Sequence, residues 1–209
     1  VVQMKVLVTG FEPFGGEEIN PSWEAVKGLP NEIEGADIIK FQLPVTFSGV
    51  REILPRLIVK ERPDAVILTG QAGGRPNITV ERVAINVMDS TMPDNEGYKP
   101  EDEPVFEGAP AAYFATIPVK AIVKALREAK IPAAVSNTAG TYVCNAAMFT
   151  ALHTIEVSGM TTKAGFIHVP FSHEQALDKP RPSMALETIR KGLEIAIKMV
   201  FEDLTREGY

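Results

Sequence analysis

The sequence predicts an α/β protein, a three-layer α/β/α sandwich around a largely parallel or mixed twisted sheet, in one domain over residues 1–209. Three observations predict it. Short β-branched runs alternate with amphipathic segments, the pattern of strand–helix–strand units. Glycine-rich stretches, "TGFEPFGG" and "TGQAGG", directly follow two of those runs. The length of 209 residues, 45% of them apolar and 23% charged, suits one well-buried domain.

Residues 5–9 form the first strand, which begins soon after Met4; residues 1–3 precede that first methionine. A helix at 22–28, a strand at 38–43 and a helix at 48–60 follow. Pro55 lacks an N–H and predicts a kink or break in that helix. Strands come next at 65–69 and 79–87, then a helix at 119–129 and a strand at 133–136. A helix at 144–156 and a strand at 165–169 continue the alternation. The final helix, 183–204, has the clearest marks. Ser183 follows Pro180 and Pro182 as an N-cap, and Ile189, Leu193, Ile197, Val200 and Leu204 fall on one face. The connection 88–117 is too long for a plain link and predicts a functional, interfacial or partly structured loop.

Composition narrows the function. No apolar run approaches the ~18 residues of a membrane span, and no basic region precedes a greasy amino-terminal segment. A single cysteine forbids an intrachain disulfide, fits a reducing cytoplasm and excludes multi-cysteine zinc sites. Neither a metal nor a cofactor is expected. The net charge is −6, and residues 89–107 hold seven acids and one lysine, which is −6 alone. The remainder is nearly neutral, so no basic stripe exists for nucleic acid. The acidic stretch reads as a solvated loop, since its acids miss the alternate spacing of a calcium loop.

"GFEPFGGE" imitates a phosphate-binding loop, but Gly16 and Glu17 stand where lysine and a hydroxyl residue are required. Glu12, Glu17 and Glu18 would repel a triphosphate. The glycines instead suit tight turns beside something small and uncharged. Phe11 and Phe14 are candidates for an apolar pocket there, the alternative being two core rings.

Cys144, in "SNTAGTYVCNAAM", falls between a predicted strand and a predicted helix. Thr141 as N-cap would put the thiol in the first helical turn, where free N–H groups and the positive dipole end favour a thiolate. The same N–H groups suit an oxyanion. The alternative is a buried, inert cysteine. A nucleophilic thiol needs a base among three histidines. His153 lies nine residues on, about 13 Å along the helix and on its opposite face, which makes it a surface or interface residue. His173 sits in a loop beside Glu174. His168 ends the apolar strand "GFIHVPF", where a polar side chain must be hydrogen-bonded and where sites form. A satisfied core histidine is the alternative. For a third member, spacing leaves Glu81, Asp89, Asp94 and Glu96 open. Glu81 is the most out of place, in "ITVERVAINV", although a salt bridge to Arg82 would also explain it.

The ordered set "VTGFEPFGG", "NPSWEA", "GQAGGR", "ERVAIN", "PDNEG", "AVSNTAGTYVCN" and "GFIHVP" resembles the pyrrolidone carboxyl peptidase family, the cytosolic thiol-type pyroglutamyl-peptidases. The matches run from residue 5 to residue 170 in family order. The resemblance implies an α/β/α sandwich and removal of amino-terminal pyroglutamate from peptides. It also implies a triad falling on Cys144, His168 and Glu81. Phe11 and Phe14 would flank the substrate ring, with Asn20 and Gln71 in polar contact. Relatives usually carry arginine at the position of Thr91, near the oxyanion; Thr91 has no charge, so another group or backbone N–H must serve. The resemblance implies a homotetramer. The competing expectations are a broader cysteine amidase or acyl-transfer enzyme, and a non-catalytic small-molecule binding protein or nucleoside phosphorylase-like enzyme on a similar sandwich.

Overall fold

The computed structural model describes residues 3–206. Residues 1 and 2, part of the segment before Met4, lie outside the described residues. In chain order the elements are β1 (Lys5–Phe11), α1 (Pro21–Lys27), β2 (Glu32–Ile33), β3 (Ala36–Leu43), α2 (Phe47–Glu61), β4 (Ala65–Gln71), β5 (Ile78–Glu81) and β6 (Val83–Ile85). They continue with β7 (Ala112–Phe114), α3 (Val119–Glu128), β8 (Ala133–Ser136), α4 (Val143–Val157), β9 (Lys163–Val169), β10 (Phe171–Ser172), a 3-10 turn (His173–Ala176), β11 (Ser183–Met184) and α5 (Leu186–Arg206).

Seven strands form one sheet in the order β2-β3-β1-β4-β9-β5-β8. β3, β1, β4 and β9 run parallel. β5 pairs antiparallel with β9, and β8 follows β5 in parallel. The central strands are buried on both faces, which is why β1 reads as a continuous apolar run with Val6, Leu7 and Val8 all inaccessible. One face packs the apolar stripes of α1, α3 and α5. The other packs α2 and α4. This is the expected three-layer sandwich with a mixed, largely parallel sheet. Among the described residues no helix is long and apolar enough to cross a membrane.

Three local expectations change. The run 79–87 is not one strand: β5 ends at Glu81, and β6 pairs with β7 in a separate two-stranded sheet. A strand cannot continue in the same plane there, because Ala115 N–H binds Arg82 O and draws the chain out of the main sheet. Pro55 does not break α2, which runs unbroken from 47 to 61. Phe47, Val50, Leu54 and Ile58 are buried at helical spacing, and that packing outweighs the one lost hydrogen bond. Ser183 is not an N-cap; it pairs with Phe171 in β11, the extended form that follows Pro182, and α5 begins at Leu186. The stripe Ile189, Leu193, Ile197 and Val200 is buried as expected.

The acidic connection is largely exposed, but it is held by a buried anchor, Asp94, and a half-buried one, Asn86. Asp94 accepts the N–H groups of Phe47, Glu96 and Tyr98. Asn86 accepts those of Val105 and Phe106.

Candidate active site

The sheet reversal beside β9 assembles the centre. His168 lies near the carboxyl end of β9, paired with Gly70 of β4 on one side and Thr79 of β5 on the other. Glu81 is two residues beyond Thr79, hence on the same face of β5. Its Oε1 lies 2.8 Å from His168 Nδ1, with Glu81 wholly buried and His168 nearly so. A carboxylate only accepts, so Nδ1 carries the proton and Nε2 is left as the imidazole's acceptor.

Cys144 comes from the opposite direction, as the second residue of α4. The N-cap is Tyr142, not Thr141, and no side chain caps the helix start. Thr141 Oγ1 instead donates to Asp89 O at 2.7 Å, tying the helix start to the acidic connection. Gly70 makes room for the thiol. A Cβ there would stand 2.7 Å from Cys144 Sγ and 2.8 Å from the Phe166 ring. That ring packs against His168 with centroids 4.6 Å apart. Thiol, imidazole and carboxylate therefore share one face of the sheet at the junction of β4, β9 and β5.

Arg75 was not foreseen. Its Nη1 lies 2.8 Å from Glu81 Oε1 and 2.7 Å from Thr79 Oγ1, and its Nη2 donates to Thr138 O. Arg75, not Arg82, pairs with Glu81. Alternation could have shown this, because residues 81 and 82 face opposite sides of a strand. Glu81 Oε2 is buried with no hydrogen-bond partner among the described residues. Burial alone would raise the Glu81 pKa. The hydrogen bond and charge of His168, assisted by Ser136 and then Arg75, reverse this and hold the carboxyl below its ordinary value.

Burial pushes the Cys144 thiol up to about 12, and the Glu81 charge adds to the rise against a pull from Arg75. Burial lowers His168 despite Glu81, and Arg75 lowers it further. Burial therefore opposes the thiolate that the helix start favours. An uncapped helix end contributes only ~0.3–1 kcal/mol, less than desolvating a thiolate beside an ionised carboxylate. Both shifts favour the neutral forms of the thiol and the imidazole.

A small enclosed pocket adjoins Cys144, lined by Phe11, Phe14, Asn20, Val45, Gln71, Tyr142 and Val143. Phe14 and Tyr142 tilt together at 6.0 Å, and Tyr142 is fixed by Phe47 and by its hydroxyl on Pro93 O. Asn20 is mostly committed elsewhere. Its Oδ1 caps α1 through Ser22, and its Nδ2 donates to Glu12 O. A wider groove lined by Arg82, Lys120, Lys124, Arg127 and Lys130 runs along β8, but it contains none of these groups.

The other histidines lie outside the centre. His153 Nδ1 is 2.7 Å from the Tyr113 hydroxyl, and its ring packs with Phe106 and Phe149. It is a half-buried member of an aromatic cluster rather than a surface residue. His173 is exposed and meets Ser183 Oγ at 2.8 Å. Of the other acids weighed, Asp94 is occupied by backbone N–H groups, and Thr91 is exposed on the loop that Thr141 and Tyr142 hold.

A lone thiol, an imidazole and an imidazole-binding carboxylate on an α/β sandwich define the class of cysteine-dependent hydrolases. Comparison with known proteins narrows this class. Residues 4–203 match the family described as pyroglutamyl peptidase. The pyrrolidone-carboxylate peptidase of Thermococcus onnurineus is 84% identical over 195 residues, covering 93% of this chain and 98% of the relative. That of Lactobacillus johnsonii is 53% identical, covering 95% and 93%. The solved pyrrolidone carboxyl peptidase of Thermococcus litoralis superposes with a TM-score of 0.95 at 43% identity, over 98% of this chain and 96% of its own. The chain belongs to the pyroglutamyl peptidase family.

Proposed function

We propose that this chain is a cysteine exopeptidase that removes an amino-terminal pyroglutamyl residue from peptides, with Cys144, His168 and Glu81 as its triad. The observation that carries the reading is the Glu81–His168 bond, which leaves Nε2 free as a base on the face that holds Cys144.

Because burial favours the neutral pair, proton transfer accompanies attack. Sγ bonds to the carbonyl carbon between pyroglutamate and the next residue while its proton passes to His168 Nε2. Glu81 stabilises the imidazolium so formed. The oxyanion meets the N–H groups of the first turn of α4, which no side chain caps. These N–H groups stand in for the arginine that relatives usually carry at position 91. The C–N bond then breaks, and His168 gives its proton to the leaving amine. Water, deprotonated by His168, attacks the thioester; pyroglutamate leaves and the thiol is restored.

The pyroglutamyl ring is uncharged, and the pocket matches it. Phe11 and Phe14 supply apolar walls, and Gln71 and the remaining N–H of Asn20 supply polar contacts. The chain acts as one catalytic domain, in the reducing cytoplasm that its free thiol suits, and as a homo-oligomer, a tetramer as in the family it resembles.

The deciding assay compares fluorogenic pyroglutamyl, prolyl and glutaminyl amides with and without iodoacetamide. Cleavage of the pyroglutamyl amide alone, abolished by alkylation, is expected. Absence of that cleavage under reducing conditions would sink the reading, and comparable cleavage of all three would indicate a relaxed amidase.

A further inference from the structure

The two oxygens of Glu81 are served unequally. Oε1 meets both His168 Nδ1 and Arg75 Nη1, each at 2.8 Å. Oε2 is buried without a hydrogen-bond partner among the described residues. An orphaned oxygen on a buried, ionised carboxylate is costly, and the group is then held at one end only. A donor stands on the neighbouring strand. Ser136 ends β8 and pairs in register with Glu81 of β5. Arg82 N–H donates to Ser136 O at 2.8 Å, which fixes the two residues side by side. Register partners on adjacent strands project to the same face, so the hydroxyl lies beside the carboxylate. It is among the groups that favour the ionised form of Glu81.

The Ser136 oxygen also lies 2.9 Å from Thr138 O and 3.4 Å from Thr138 N. A hydroxyl has one proton and rotates to suit its acceptors. Thr138 O has a second donor, Arg75 Nη2, at 3.2 Å. Two acceptors therefore share a claim on one proton: a carbonyl already served, and a buried carboxylate oxygen served by nothing. A charged acceptor binds a donor about twice as strongly as a neutral one. Turning the proton to Glu81 leaves Thr138 O with Arg75, so the change orphans no group. We propose that Ser136 is a positioning residue for the triad: its hydroxyl donates to Glu81 Oε2 and holds the carboxylate so that Oε1 stays on His168 Nδ1. This rests on the reading of the triad given above. Ser136 touches no reacting atom and acts through Glu81. The other titratable or charged groups around Glu81 are His168 of β9, Arg75 of the loop before β5 and Cys144 of α4.

The test compares wild type with Ser136→Ala and with Ser136→Thr, which keeps the hydroxyl on a side chain suited to a strand. Three things are read: kcat and KM for a pyroglutamyl coumarin amide against pH, the nitrogen NMR titration of His168, and the melting temperature. Without its donor Glu81 becomes more basic and stabilises the protonated imidazole more. The His168 pKa and the acidic limb of kcat/KM should therefore both rise, by about half to one pH unit. At the wild-type optimum kcat should fall about three- to thirtyfold while KM stays within about twofold, because the pocket is untouched. Ser136→Thr should bring the limb and the titration back toward wild type. An unmoved His168 titration in folded Ser136→Ala overturns the proposal. So does a lowered melting temperature or raised KM without that shift, which means that Ser136 only shapes the 136–138 turn. A shift in Ser136→Thr as large as in Ser136→Ala overturns it as well. A wild type that cleaves no pyroglutamyl amide refutes the peptidase reading, while the His168 titration still decides whether Ser136 holds Glu81.

Discussion

Arg75 Nη1 and His168 Nδ1 converge on one oxygen, each 2.8 Å from Glu81 Oε1. Two hydrogen-bond donors, one of them a permanent cation, share that one carboxylate oxygen. Arg75 adds to the larger effects of His168 and Ser136 that favour the ionised Glu81, and it lowers the basicity of His168. Removing the guanidinium in Arg75→Met should therefore raise the pKa of His168. The base would then be protonated, and lost, at a higher pH. The acidic limb of kcat/KM should move upward in pH, whereas Arg75→Lys, which keeps the charge, should hold it near wild type. An unmoved limb in Arg75→Met would show that the shared oxygen carries no electrostatic coupling. The Met variant should also lose about 1–3 kcal/mol of stability, discounted because Arg75 is a third exposed.

The thiol, raised to about 12, and the lowered imidazole together predict a specific alkylation profile. The iodoacetamide rate should climb steadily between about pH 7 and 10, because the thiolate fraction grows throughout that range. A plateau starting below neutrality would instead reveal a preformed thiolate–imidazolium pair.

Gly70→Ala would set a methyl group 2.7 Å from Cys144 Sγ, with the Phe166 ring closing the other side. The thiol must move or the ring must yield. Both alkylation and kcat should fall by more than about tenfold, with about 1–3 kcal/mol of overpacking. Near-normal kinetics would mean that the thiol tolerates displacement along α4.

Cys144→Ala should abolish turnover, and His168→Ala should nearly abolish it. His153→Ala should leave kcat/KM within about threefold of wild type yet cost about 1–3 kcal/mol, through lost packing in the aromatic cluster. Kinetic loss in a folded His153 variant would contradict the separation of the two histidines.

Much of this was legible because certain residues violate local expectation. A histidine ending an apolar strand and a carboxylate within an apolar run both signal compulsory partners, and the two are partners. The helix start at Cys144 was readable to within one residue, but its electrostatics were not. The dipole is a local property of α4, whereas the desolvation and the Glu81 charge arise from distant strands. Arg75 was hidden because it lies in the loop before β5 and its guanidinium reaches six residues forward along the chain. Ser183 misled because a serine after proline serves a strand as readily as a helix cap.

The strand order also governs when the site comes into existence. β9 is the last strand of the main sheet to be synthesised, yet it lies between β4 and β5. Until it inserts, β2-β3-β1-β4 and β5-β8 share no edge, and the carboxylate has no imidazole to hold. A nascent chain ending before residue 163 carries Cys144 and Glu81 without their connecting base. On the proposed triad such a chain has its thiol but no base to serve it, so peptidase activity should require the insertion of β9.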